Sequence, residues 1–130
     1  MATWAFYSDA AMTAQLTVLS CEQTTNTFHV YFGSTSTGYK LINQTTGANI
    51  TVACVDSATG GHAVTAIKQA ATTGGLAAST GGAAYSLGTQ VLGGVANKED
   101  WFISVTDSVG DGVLSTELSL ALGSLYEQAV

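Results

Sequence analysis

Apolar and polar residues alternate with period two along most of this chain. In "TFHVYFG" (27–33), Phe28, Val30 and Phe32 point one way while His29 and Tyr31 point the other. "NITVAC" sets Ile50, Val52 and Cys54 against Thr51 and Ala53, and "WFISVTD" sets Trp101, Ile103 and Val105 against Phe102, Ser104 and Thr106. "ELSLAL" sets Leu118, Leu120 and Leu122 against Ser119 and Ala121. Near the start, Trp4 and Phe6 share one face, and Leu16 and Val18 alternate with Thr17 and Leu19. Successive side chains leave opposite faces of a pleated strand, so the pattern predicts half-buried strands. Three large apolar residues per strand stabilise each strand by roughly 5–9 kcal/mol before entropy. A slip of one residue would turn that set to water, so the pattern also fixes register.

Clusters of Gly, Asn, Asp and Ser separate these runs: "SDAAMT", "EQTTN", "GSTSTG", "QTTGA", "DSATGG" and "DSVGDG". Such residues suit turns. Short strands at this spacing predict an all-β fold, a two-sheet sandwich or small barrel, in a single domain over residues 1–130. One segment, "AVTAIKQAA" (63–71), fits two patterns. Val64, Ile67 and Ala71 have helical spacing, and Thr65, Ile67 and Gln69 have strand spacing; the strand is favoured. The chain lacks proline, so sheet edges must be protected by loops, twist or neighbouring chains.

Charge changes the picture. Only 9% of the 130 residues are charged, against about 25% in an average domain. There is no arginine, the lysines are Lys40, Lys68 and Lys98, and the net charge is −6. Such a chain cannot neutralise a phosphate backbone, which excludes nucleic acid as a partner. A surface of Thr, Ser, Gly, Ala, Asn and Gln offers little repulsion between copies and suits packing against other protein. No run reaches the ~18 apolar residues that a membrane span needs, and the N-terminal stretch lacks the basic region of a secretory signal. Cys21 and Cys54 are the only cysteines, and in a chain without export signals free thiols are favoured over a disulfide. Cys54 shares its face with Ile50 and Val52, which predicts a buried thiol.

Candidate chemistry is sparse. The glycine pairs in 72–105 invite comparison with a phosphate cradle, but Gly94 and Val95 stand where a P-loop places Lys and Ser or Thr. These glycines therefore predict turns and close backbone approaches. Asp107, Asp111 and Glu117 could offer oxygens to calcium, but Ser108-Val109 breaks the alternation of ligands and a tight turn is the better reading. His29 lies on a strand and His62 in a glycine-flanked turn, neither with a carboxylate close in sequence. Glu99 and Asp100 are adjacent on a strand, face opposite ways and cannot flank one glycosidic bond. No catalytic residue, cofactor or metal is assigned, and an enzyme is not expected.

Three stretches carry a resemblance. "FYSDAAMT", "VYFGSTSTGYKL" and "SLGTQVLGGVANKEDWFISVTDS" resemble segments of small bacteriophage structural proteins. The resemblance spans most of the chain, although Ser104 stands where such proteins commonly carry arginine. It implies an immunoglobulin-like β-sandwich that resides in a virion and turns over no substrate. A capsid decoration or cement protein, bound to the major capsid protein and self-associating on the particle, is the reading it favours. The alternatives are a tail, collar or fibre-associated module, or a surface adhesive module, for which the sequons at Asn43 and Asn49 would be the clue. Aromatic residues near the chain ends, Trp4, Phe6, Tyr7 and Tyr126, are candidate interface residues, since interface cores favour aromatics. Trp4 and Phe6 would alternatively fill the domain's own core.

Overall fold

The computed structural model describes residues 3–17, 19, 25–56, 64–106 and 118–130. Its strands are β1 (Ala5–Tyr7), β2 (Thr25–Gly33), β3 (Tyr39–Asn43), β4 (Thr51–Asp56), β5 (Ile67–Ala70), β6 (Tyr85–Ser86), β7 (Gln90–Leu92), β8 (Glu99–Thr106), β9 (Leu118–Leu122) and β10 (Leu125–Ala129). Short 3-10 turns at Val64–Ala66, Thr73–Ala78 and Val95–Asn97 are the only helical elements among the described residues. Every strand pairing is antiparallel, and the strands form three sheets ordered β1-β2-β8-β5, β10-β3-β7 and β6-β4-β9. The fold is thus all-β, as the alternation predicts.

One apolar cluster draws on all three sheets. Val30, Phe32, Ile67, Trp101, Ile103 and Val105 come from the four-stranded sheet, Leu41 and Val91 from the second, and Val52 and Leu118 from the third. The faces assigned from the sequence are the faces buried: Trp101, Ile103 and Val105 have no exposure, and neither do Val30, Ile50 and Val52. The long β2–β8 ladder aligns them, with Val30 opposite Trp101 and Phe28 opposite Ile103.

A polar clamp crosses this core. Trp101 Nε1 donates to Gln69 Oε1 at 2.9 Å, and Gln69 Nε2 donates to the carbonyl oxygens of Val52 (3.1 Å) and Ala83 (3.2 Å). Gln69 is buried on β5, and its two amide hydrogens and its oxygen all have partners, so it ties the four-stranded sheet to β4 without an orphaned polar atom.

The segment that fits both periods resolves into two parts. Val64–Ala66 is a 3-10 turn and Ile67–Ala70 a strand, with Ile67 and Gln69 on the inward face. The strand expected around Leu16–Leu19 is not formed among the described residues. Gln15 makes an isolated bridge to Tyr7, and Leu19 is fully buried while its N–H donates to Leu118 O. Leu16 and Leu19, three apart, both reach the core cluster, which a strict strand alternation would not allow.

The glycine-rich stretch is wiring between strands. Gly88 has φ +87° and separates β6 from β7, so one run of chain pairs first with β4 and then with β3. At Gly93 the backbone runs so close to the loop after β2 that an added Cβ would collide with Ser36 O. The N–H of Gly93 donates to Tyr39 O and that of Gly94 to Ser34 O, both at 2.8 Å.

Candidate interaction surface

The outer face of the β10-β3-β7 sheet is built by register. Tyr126, Ile42 and Gln90 form one cross-strand row, and Gln128, Lys40 and Leu92 form the next. The intervening residues Leu41 and Val91 are buried, so their neighbours along each strand must face outward. Tyr126 and Leu92 are 42% and 36% exposed, Val95 in the turn after β7 is 38%, and Val130, whose N–H donates to Gly38 O, is 77%. These four are the exposed large apolar residues among those described; Leu92, Tyr126 and Val130 belong to this sheet or continue its strands, and Val95 lies in the turn that leads from β7 to β8. Lys40 is the single charge in the two rows. A hollow of about 210 Å³ lies at one end of this sheet, lined by Leu92, Asn97 and Val130 among others. Such a face can exclude water against another protein with almost no charge to desolvate.

The four aromatic candidates do not form one patch. Trp4 and Phe6 both pack on Phe32, with ring centroids 6.3 and 5.2 Å away, and Phe6 also meets Trp101 edge-on at 6.2 Å. Trp4 Nε1 donates to Glu127 Oε1 at 2.8 Å, so the segment before β1 is tied to β10. Tyr7 stands opposite Tyr31 on the four-stranded sheet, and Tyr126 stands on the β10-β3-β7 sheet. Leu92 and Val95 were not expected from the sequence. In "QVLGGV" two apolar residues are adjacent, Val91 inward and Leu92 outward, so no alternation marks the strand.

On the outer face of the four-stranded sheet, His29 meets partners that lie far off in sequence. Asp100 Oδ2 is 2.8 Å from His29 Nε2, and Tyr31 Oη is 2.9 Å from His29 Nδ1. The His29 and Asp100 side chains are 37% and 55% exposed, so the three sit on an open sheet face rather than in a cleft. Glu99, the next residue, is partly buried; burial first, then the charge of Asp100, push its carboxyl above the usual glutamate range. A carboxyl raised in the folded state binds more protons there than in the unfolded chain. Its contribution to stability is therefore lost as pH rises from about 4.3 through the folded-state value. Melting curves between pH 4 and 7 should show Glu99→Gln less sensitive to pH than the wild type; an identical pH dependence would remove Glu99 from the account.

Cys54 is a free thiol on β4. The thiol is partly buried against the core cluster rather than fully buried as the alternation predicts. Burial raises its pKa, against a smaller opposing effect of the hydrogen bond from Gln69, so it stays protonated and is no nucleophile at neutral pH. Cys21, His62 and the acidic trio Asp107, Asp111 and Glu117 lie outside the described residues. Among the described residues, no three His, Cys, Asp or Glu side chains gather as a metal site, and no helix is long and apolar enough to cross a membrane. No family model, curated protein or solved structure matches the chain.

Proposed function

We propose that this chain is a structural component of a bacteriophage virion, a capsid decoration or cement protein that binds and stabilises the shell of the major capsid protein. It acts by contact and catalyses no reaction. The observation that carries this reading is that the exposed side chains of Leu92, Tyr126 and Val130 share one face of the β10-β3-β7 sheet, where Lys40 is the single charge in the two cross-strand rows, in a protein with net charge −6. The resemblance of "VYFGSTSTGYKL" and "SLGTQVLGGVANKEDWFISVTDS" to small phage structural proteins supplies the setting. The fold is read as an immunoglobulin-like sandwich. In that reading the split at Gly88 makes the two three-stranded sheets one bent layer opposite the four-stranded sheet.

A cementing role needs contacts that must break before capsomers separate. A standard interface buries about 1,600 Å² in total, and weak contacts gain from repetition over a lattice, more so if copies touch one another. Tyr126 and Leu92 are the anchors, because buried aromatic and apolar side chains near an interface centre dominate its energy. Quantitative mass spectrometry of purified particles tests the location. Hundreds of copies support the shell, a handful place the chain in the tail, collar or neck, and none removes it from the virion. For the surface, the Tyr126→Ser/Leu92→Ser double variant should bind undecorated particles at least about tenfold more weakly, with its melting temperature unchanged. Unchanged binding would reject this face.

A further inference from the structure

The Tyr31, His29 and Asp100 cluster has no part in the docking surface, and its hydrogen bonds have a direction. A carboxylate only accepts, so in the neutral ring Nε2 carries the hydrogen and donates to Asp100 Oδ2 at 2.8 Å. That leaves Nδ1 with a free lone pair, 2.9 Å from Tyr31 Oη, where it can only accept the phenol proton. Hydroxyl, base and orienting carboxylate thus stand in the order that activates an oxygen nucleophile. Two further contacts fix the arrangement. The His29 ring stacks on Phe102 with centroids 4.3 Å apart, and it sits 4.3 Å from the Tyr31 ring. Lys98 Nζ lies 6.0 Å from the Tyr31 ring centroid, where its charge favours negative charge developing on the phenol. The register explains the assembly: Tyr31 pairs with Asp100 and His29 with Phe102 across the β2–β8 ladder, so all four side chains share one face.

We propose that Tyr31 is a covalent acceptor site that takes an acyl group from an activated carbonyl donor. Tyr31 Oη bonds to the carbonyl carbon while its proton passes to His29 Nδ1. The bond from that carbon to the leaving group then breaks, and the departing group carries the proton away, so His29 returns to its neutral form. Asp100 is a positioning residue: it holds the tautomer and stabilises the imidazolium that forms in between. The product is an O-acyl tyrosine, and no oxidant or reductant is needed. The site lies on an open face, so it accepts a group carried on a small molecule or presented by another protein. This inference stands independently of a virion role.

N-acetylimidazole, a small acyl donor with an imidazole leaving group, tests it on the intact protein by timed peptide mapping. Exposure alone would favour Tyr126, the most exposed tyrosine among the described residues. Base assistance should instead make Tyr31 acetylate about tenfold faster than Tyr126. His29→Gln removes the base, and the isosteric Asp100→Asn removes the charge while preserving shape. Each should bring Tyr31 down to or below the rate of Tyr126, with the rate of Tyr126 itself unchanged. The proposal is overturned if Tyr31 in the wild type reacts no faster than Tyr126, or if both variants keep the wild-type rate at Tyr31.

Discussion

Replacing Trp101 with alanine should lower the melting temperature by roughly 10–20 °C, the largest effect expected of any single substitution in this protein. Two losses coincide there. The indole is wholly buried, stacked on Tyr85 with centroids 5.3 Å apart and met edge-on by Phe6, so its removal opens a cavity among rigid strands. Truncating a buried tryptophan costs about 3–5 kcal/mol. The change also leaves Gln69 Oε1 without its donor inside the core, which adds about 1–3 kcal/mol unless water enters. Trp101→Phe weights the second contribution, since it keeps much of the ring volume, leaves a smaller cavity than alanine does and removes the N–H entirely. It should fall between the wild type and Trp101→Ala in thermal melts followed by circular dichroism. If Trp101→Phe were as stable as the wild type, neither the lost ring volume nor the clamp through Gln69 would contribute measurably to stability.

Gly93→Ala should be the second most damaging change described here, lowering the melting temperature by roughly 5–10 °C. The cause is contact rather than backbone conformation, because the new methyl group would run into Ser36 O, a backbone atom with no rotamer by which to escape. Forcing the loop after β2 outward would strain the bonds from Gly93 N–H to Tyr39 O and from Gly94 N–H to Ser34 O. Overpacking of this kind costs about 1–3 kcal/mol. Gly88→Ala provides the contrast. Its φ of +87° disfavours a side chain, but no atom lies within 4 Å of the new methyl, so the penalty is conformational alone, about 1–2 kcal/mol. If Gly93→Ala melted above Gly88→Ala, the close approach of the two loops would not be limiting. Gly93 follows Leu92 directly, so the same variant should also disturb the docking face.

The inward faces of β2, β4, β8 and β9 were legible because each carries apolar residues two apart with mostly small or polar residues between, Phe102 on β8 being the exception. Burial on one side of a pleat leaves no other arrangement. Besides the two-residue β6, the strands that the alternation does not mark are short or mixed: β3 in "YKLIN", β7 in "QVL" and β10 in "LYEQA". In β3, β7 and β10 the outward side is also partly apolar, at Ile42, Leu92 and Tyr126, so period two is blurred. That blurring has the same physical origin as the docking surface, since a sheet with apolar residues on both faces loses its alternation. Tyr126 was named among the interface residues from its chemistry, but its companions Leu92 and Val95 lay inside a glycine-rich stretch that reads as turns.

The order of residues along the chain determined the all-β character, the identity of the core residues on the long strands and the near absence of charge, because these depend only on local spacing and composition. Tertiary structure decided everything that depends on distant segments meeting. It set Gln69 against Trp101, turned one strand into two at Gly88, brought the exposed side chains of Leu92, Tyr126 and Val130 to one sheet face, and placed Asp100 beside His29 across 71 positions of chain. Register between strands creates such neighbours, and register is a property of the paired sheet rather than of either strand alone.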